Sequence, residues 1–180
     1  MSTQDGDPEA LARTIVLRRL TGSARTRAEL EKALAAKSVP AEVAEAVLDR
    51  FTELGLIDDA EYAAAFTESR RHRGGWSRRA MQAKLRERGV PRDLVTEAMA
   101  TVDADDERAS ALALARRRWN TSVPLEVRRR RLTAMLARRG YSHDIVHSVL
   151  RAVEAESPDG PEVDDEFLDD TAFPDVDLRE

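Results

Sequence analysis

The sequence predicts an all-α protein of three tandem three-helix repeats forming an elongated, curved array, with a disordered acidic C-terminal tail. Three observations carry that prediction. Shifting the 180-residue chain by 51 residues, twice, superimposes Leu30, Met81 and Leu132, then Leu34, Leu85 and Leu136, then Val43, Leu94 and Ile145 without a gap. Within each unit the apolar residues recur at helical spacing, four apart in the middle helix and at 43, 47, 48 and 51 in the third, with no strand-like alternation. Alanine, leucine, arginine and glutamate dominate, whereas the 8 glycines and 7 prolines cluster at boundaries.

Nine helices follow, over 8–21, 26–37, 40–54, 59–73, 77–88, 91–103, 105–119, 124–139 and 142–155. Pro8, Pro40 and Pro91 suit first helical turns, where the missing N–H is no loss. Thr26 with Glu29 has the spacing of a capping box, and Asp58 with Glu61 repeats it. Ser77 and Asp105 are simpler N-cap candidates. Gly89 and Gly140 stand where a left-handed residue closes the middle helix. These signals divide the chain into a flexible N-terminus (1–7), repeat one (8–57), repeat two (58–104), repeat three (105–155) and the tail (156–180). One unit of this size buries too little surface to stand alone, so the units are expected to stack, each covering its neighbour's apolar face.

With no cysteine, disulfides and thiolate metal sites are excluded, and no apolar stretch suits a signal peptide or membrane span, so a cytoplasmic protein is expected. The net charge of −5 conceals strong segregation. Residues 154–180 hold 12 acidic side chains against Arg179, whereas residues 108–153 hold 11 arginines against Glu126 and Asp144. Repeat one is near neutral at +1, repeat two taken from Asp58 to Glu107 is −2, and repeat three carries nearly all of the positive charge. An elongated basic array offers shallow surfaces for a large partner and few deep pockets for a small substrate, so a binding protein is expected, with no catalytic residues and no cofactor.

The candidate chemistry agrees. Asp58, Asp59 and Glu61 resemble an acid–base or metal cluster, but Asp58 and Glu61 have a capping task and acids suit a helix N-terminus. His143 and His147 are four apart with no third ligand at suitable spacing, His72 lies isolated among arginines, and Gly74-Gly75 lacks the lysine and hydroxyl of a phosphate loop. The basic clusters carry more. Arg70, Arg71 and Arg73 complement the dipole at the end of helix four, but Arg78 and Arg79 in the first turn of helix five oppose it, which points to a partner. Lys84, Arg86 and Arg88 continue that helix. Arg116, Arg117 and Arg118, the run Arg128, Arg129, Arg130 and Arg131, and the pair Arg138 and Arg139 could contact phosphates or an acidic protein surface. Four consecutive arginines spread around a helix, so at least one must approach the core or an adjoining unit. Trp76 and Trp119, each at a helix boundary beside arginines, read as plugs between helices in preference to base-stacking platforms.

The stretch Leu54-Gly55-Leu56-Ile57-Asp58-Asp59-Ala60-Glu61-Tyr62-Ala63, followed by Phe66 and Arg70, resembles the most recognisable segment of the bacterial RecX family. A second stretch, Arg73-Gly74-Gly75-Trp76-Ser77-Arg78 with Leu85 and Arg88-Gly89-Val90, resembles another, and the likeness covers about residues 9–153. It implies a regulator that binds the RecA recombinase in the helical groove of its filament on single- or double-stranded DNA. It also implies restraint of filament growth, ATP hydrolysis and strand exchange in recombination and DNA repair, with the basic residues as contacts and Asp58, Asp59, Glu61 and Tyr62 as a structural joint. A monomer is expected. The alternative is a DNA-binding protein acting without RecA, since basic three-helix units also describe helix-turn-helix domains. Two parts fall outside the likeness, the linker 120–124 and the acidic tail. The tail is expected to fold back over the arginine-rich repeat and compete with the partner, or to present Phe167, Leu168 and Phe173 as a docking motif.

Overall fold

A computed structural model describes residues 7–71 and 75–156. Among them are nine α-helices and no strand: α1 (Pro8–Gly22), α2 (Arg27–Ala35), α3 (Ala41–Glu53), α4 (Asp59–Ser69), α5 (Arg78–Glu87), α6 (Arg92–Ala100), α7 (Ala104–Arg118), α8 (Leu125–Arg138) and α9 (His143–Glu156). The expectations placed on the N-terminus, on His72, Arg73 and Gly74, and on the acidic tail lie outside the described residues. Helix four is shorter than the expected 59–73, its α-helical part ending at Ser69.

Local chemistry accounts for the helix starts. Pro8 opens α1 behind an Asp7 cap. Thr26 and Glu29 form the full capping box, each side chain accepting the other's backbone N–H at 3.2 Å. Asp58 accepts the Glu61 amide at 2.8 Å, and Ser77 that of Ala80 at 3.1 Å. Two expectations need correction. Asp103, not Asp105, caps α7, accepting the Asp106 amide at 2.6 Å while Asp105 sits inside the first turn. Pro40 and Pro91 occupy the N-cap positions of α3 and α6 themselves, in extended conformation.

In the second and third units the first and third helices form the most extensive contact, and in the first unit α3 packs equally against α1 and α2. The apolar pair of each middle helix is sealed inside, Leu30 with Leu34, Met81 with Leu85, and Leu132 with Leu136. Burying each such side chain contributes about 1.5–3 kcal/mol. Three separate cores result: one around Val16, Leu48 and Phe51, one around Val95 and Met99, and one around Ala115, Val146 and Val153. The expected stacking of apolar faces between units is therefore not what joins them. Among the described residues, no two helices of different units share an extensive contact.

The units instead meet helix end to helix end. The buried Thr26 hydroxyl, at the start of α2, donates to the Arg88 carbonyl at the end of α5 at 2.7 Å. At the equivalent place in the next junction, the Ser77 amide donates to the Arg139 carbonyl at 3.1 Å. Each junction thus sets the positive end of one helix dipole on the negative end of another and satisfies a terminal carbonyl. A carboxylate from the following unit also caps the first amide of each abutting helix. Asp59 accepts the Arg27 N–H at 2.9 Å, and Glu107 accepts the Arg78 N–H at 3.1 Å.

Glycine is required where these ends touch. All three middle helices close with the same turn, in which the amides of Val39, Val90 and Tyr141 donate to the carbonyls of Leu34, Leu85 and Leu136. The left-handed residue is Ser38 (φ 56°) at the open end of the array but Gly89 (φ 80°) and Gly140 (φ 82°) at the junctions. A Cβ at Gly140 would stand 2.6 Å from the Ser77 hydroxyl oxygen, and one at Gly89 would overlap the Ala28 methyl. A side chain tolerates the turn but not the neighbour.

The geometry predicts that Thr26→Ala, which strips the carbonyl partner and the cap together, lowers stability in urea by about 1–3 kcal/mol. Thr26→Ser, which copies the residue of the second junction, should cost well under half of that. Gly89→Ala should be worse than the ~1–2 kcal/mol of a left-handed alanine alone, because the methyl also collides with Ala28.

Candidate functional site

The basic side chains divide into those bound within the chain and those left open. Arg27, Arg78 and Arg129 occupy one repeat position. Arg27 reaches α3, donating to Asp49 at 2.6 Å and Thr52 at 3.3 Å, and Arg129 grips Glu154 of α9 at 2.6 and 2.9 Å. Thr52 and Glu154 are themselves 102 residues apart, two repeat lengths, and the residue between them in register is Asp103. That carboxylate instead caps α7. Arg78 is consequently exposed with no side-chain partner among the described residues.

Arg79 and Arg130 also share a repeat position, and both are exposed and unpartnered among the described residues. Arg86, Arg117 and Arg131 are in the same state, whereas Lys84 pairs with Glu87 at 3.0 Å. The first turn of α5 contains no acidic residue, so the cations of Arg78 and Arg79 lie uncompensated against the helix dipole except by Glu107 from the next unit.

Other candidates are occupied in packing. Arg70 lies 5.4 Å from the Phe66 ring centre and 5.1 Å from that of Trp76, which meets Phe66 edge-on. Arg71 bonds Asp106 at 2.9 Å and pairs with Glu68 at 3.5 Å. Arg128 covers the Trp119 ring at 5.3 Å, which explains how one member of the four-arginine run approaches the core. Both tryptophans are packed against their units' cores. Arg116 makes a two-pronged bond to Glu156 at 2.8 and 2.6 Å. Arg138 is exposed and Arg139 half-buried beside the second junction.

Arg118, Arg130, Arg131 and Arg138 wall a shallow hollow of about 570 Å³ between α7 and α8, with Leu132, Ala134 and Met135 as its apolar lining. A smaller hollow of about 290 Å³ lies between Arg71 and Arg117, beside Gly75, Asp106 and Ser110.

At the first junction, Asp58 caps α4 and Asp59 caps α2, burial raising the Asp59 carboxyl above its ordinary range against the opposing pull of Arg27. The Tyr62 hydroxyl accepts from Arg88, and burial pushes it up as well. Arg88 also faces Glu29 at 3.7 Å and the rings of Tyr62 and Phe66 at 5.9 Å. Arg88, Glu29 and Glu107 were not singled out in the sequence as junction residues. The recurrence of Lys37, Arg88 and Arg139 one residue before the left-handed turn was the available signal. Glu154 and Glu156, counted with the acidic tail, close α9 and bind α8 and α7, so the tail's acidic character begins inside the folded unit.

His143 and His147 face each other with ring centres 4.3 Å apart, but no group of three His, Asp or Glu side chains among the described residues could hold a metal ion. None of their helices is long and apolar enough to cross a membrane.

Family models for the first, second and third three-helix domains of RecX match residues 12–51, 58–99 and 105–150. The chain belongs to the RecX family. It is 48% identical over 161 residues to the Regulatory protein RecX of Thermobifida fusca, spanning 88% of this chain and 85% of that one. It is 43% identical over 163 residues to that of Streptomyces coelicolor, spanning 89% and 87%. The crystal structure of RecX from Lactobacillus salivarius superimposes with a TM-score of 0.69 at 17% identity, over 83% of this chain and 98% of that one, and shares the fold. RecX relatives are named as regulatory proteins, in keeping with a chain that presents arginines on a helical array.

The clamp on α9 has a pH signature. Hydrogen bonds from Arg129 and Arg116 hold the Glu154 and Glu156 carboxyls below the usual glutamate range. A carboxyl lowered in the folded state stabilises it above the unfolded value of about 4.3, and that contribution is lost as pH falls through the folded value. Carboxyl carbon resonances of both residues should therefore titrate below the ordinary glutamate range, and Arg129→Gln should move that of Glu154 upward while leaving Glu156 depressed.

Proposed function

We propose that this RecX-family protein is a non-catalytic regulator that binds the RecA–DNA filament, in its helical groove, and restrains ATP hydrolysis, filament extension and strand exchange. The observation that carries this reading is the set of exposed arginines on the second and third units that have no partner among the described residues, above all Arg78, Arg79 and Arg130 at recurring positions. Retaining two cations in the first turn of α5 costs electrostatic free energy that an anionic partner would recover. Guanidinium groups suit both phosphate oxygens and carboxylates through their planar fork. The end-to-end junctions hold these arginines at repeated intervals, as a periodic partner requires.

The mechanism is occupancy. A monomer lying along the groove in the cytoplasm bridges successive RecA protomers and obstructs the subunit addition and conformational cycling on which strand exchange depends. The domain divisions at 57/58 and 104/105 belong to the same proposal, each unit addressing one stretch of groove. Arg70, Arg71, Arg116, Arg128 and Arg129 are tied into the chain's own packing and support the surface without forming its outermost contacts.

Replacing Arg78, Arg79, Arg130 and Arg131 with alanine should raise the concentration for half-inhibition of RecA ATP hydrolysis by about tenfold or more, equivalent to ~1.4 kcal/mol. The circular dichroism of the fold should not change. Undiminished inhibition would overturn the assigned face. The same proteins separate filament binding from action on DNA alone. The filament reading expects weak binding to bare DNA beside tight binding to a preformed filament. Equal affinities, with log affinity for bare DNA falling by about 0.7–0.9 per phosphate contact against log salt, would favour the independent DNA binder.

A further inference from the structure

The hollow between α7 and α8 combines two features that a phosphate backbone would not use together. Its walls carry the guanidinium groups of Arg118, Arg130, Arg131 and Arg138, and its lining includes the side chains of Leu132 and Met135. An occupant that satisfies both has carboxylates around an apolar centre. Residues 164–170 of this chain read Asp-Asp-Glu-Phe-Leu-Asp-Asp, with Phe167 and Leu168 set between five carboxylates. We propose that this segment docks in the arginine-walled hollow of its own chain, Phe167 and Leu168 over the apolar lining and the flanking carboxylates on Arg130 and Arg131, and so covers part of the face offered to a partner.

Three further observations favour the chain's own segment as the occupant. The acidic end of the chain already binds the basic helices, since Glu154 is fixed to Arg129 of α8 and Glu156 to Arg116 of α7. From Glu156 to Phe167 is eleven residues, a reach of at most about 36–40 Å when extended. Passing around α8 means clearing a cylinder of about 10–12 Å diameter, so the length suffices. Attachment to α9 also sets an effective concentration of order mM for this segment, a level that a separate acidic peptide would have to match. Finally, residues 157–180 carry ten acidic side chains against one arginine, complementary to the cationic third unit.

The consequence for regulation rests on the filament reading, but the contact itself does not, so it is tested on the full chain without RecA. Because the sequence has no cysteine, Thr171→Cys provides a single attachment point for a nitroxide on the isotopically labelled protein. The expected result is selective loss of amide signal at Arg131, Ala134 and Met135, with α2 and α3 unaffected. The loss should be relieved by Arg130→Glu with Arg131→Glu, and separately by Phe167→Ala with Leu168→Ala. It should also weaken in 1 M salt, where the screening length falls to about 3 Å. No selective loss, or loss centred on another surface, overturns the proposal. So does an equal loss on a labelled chain mixed with a nitroxide-bearing unlabelled copy, which would assign the contact to a second molecule. Docking without any change in RecA inhibition on removing the apolar pair would leave this contact standing and count against the filament reading alone.

Discussion

Two hydrogen bonds to helix-terminal carbonyls, from the Thr26 hydroxyl to Arg88 and from the Ser77 amide to Arg139, set the architecture on which everything else depends. Each of the three cores is complete within its own unit, so apolar burial alone would leave three beads on a chain. The junctions convert them into an array by using groups that every helix must satisfy anyway: free N–H at one end and free C=O at the other. Such contacts are small, and their directionality is their value. A dipole-aligned, hydrogen-bonded helix end permits one approach, whereas two greasy faces can slide.

Much of this was legible in the residues. The 51-residue period located the cores, because buried pairs such as Leu34 and Leu85 must recur wherever a middle helix crosses its partners. The capping box at Thr26 and the glycines at 89 and 140 marked helix ends correctly, since caps and left-handed turns are local chemistry. What joins the units was not legible. Whether a serine at an N-cap also donates its amide to a carbonyl 62 residues away depends on tertiary placement that no local pattern encodes. The comparison of Ser38 with Gly89 and Gly140 explains the omission. Only the neighbour's approach distinguishes the open end from the junctions, and the neighbour is absent from a one-dimensional reading.

The candidate site was legible by type and less so by member. Counting arginines identified the third unit as basic and a local cluster in the second, but could not separate Arg128, laid over Trp119, from Arg130, two positions on and exposed. The case of Arg78 is instructive because the repeat explains it. Its counterparts are fixed by the third helix of their own units, while Asp103, which stands where its partner would be, is committed to capping the next helix. A demand of the fold thereby releases a cation to the surface. The opposite happens at the chain's acidic end, where Glu154 and Glu156 neutralise Arg129 and Arg116 within the folded unit. Repeat three is thus the most basic in sequence while the accessible positive charge is shared among α5, α7 and α8.

Function in this account follows from spacing: arginines held at intervals by the junctions against a partner that repeats. The most direct test is the density of the full chain bound to a RecA filament on single-stranded DNA. The account predicts continuous density for all three units across successive protomers, both junctions intact, with Arg78, Arg79 and Arg130 against phosphate or acidic protein surface. Density for a single unit, broken junctions, or an interface with these arginines facing solvent would contradict it.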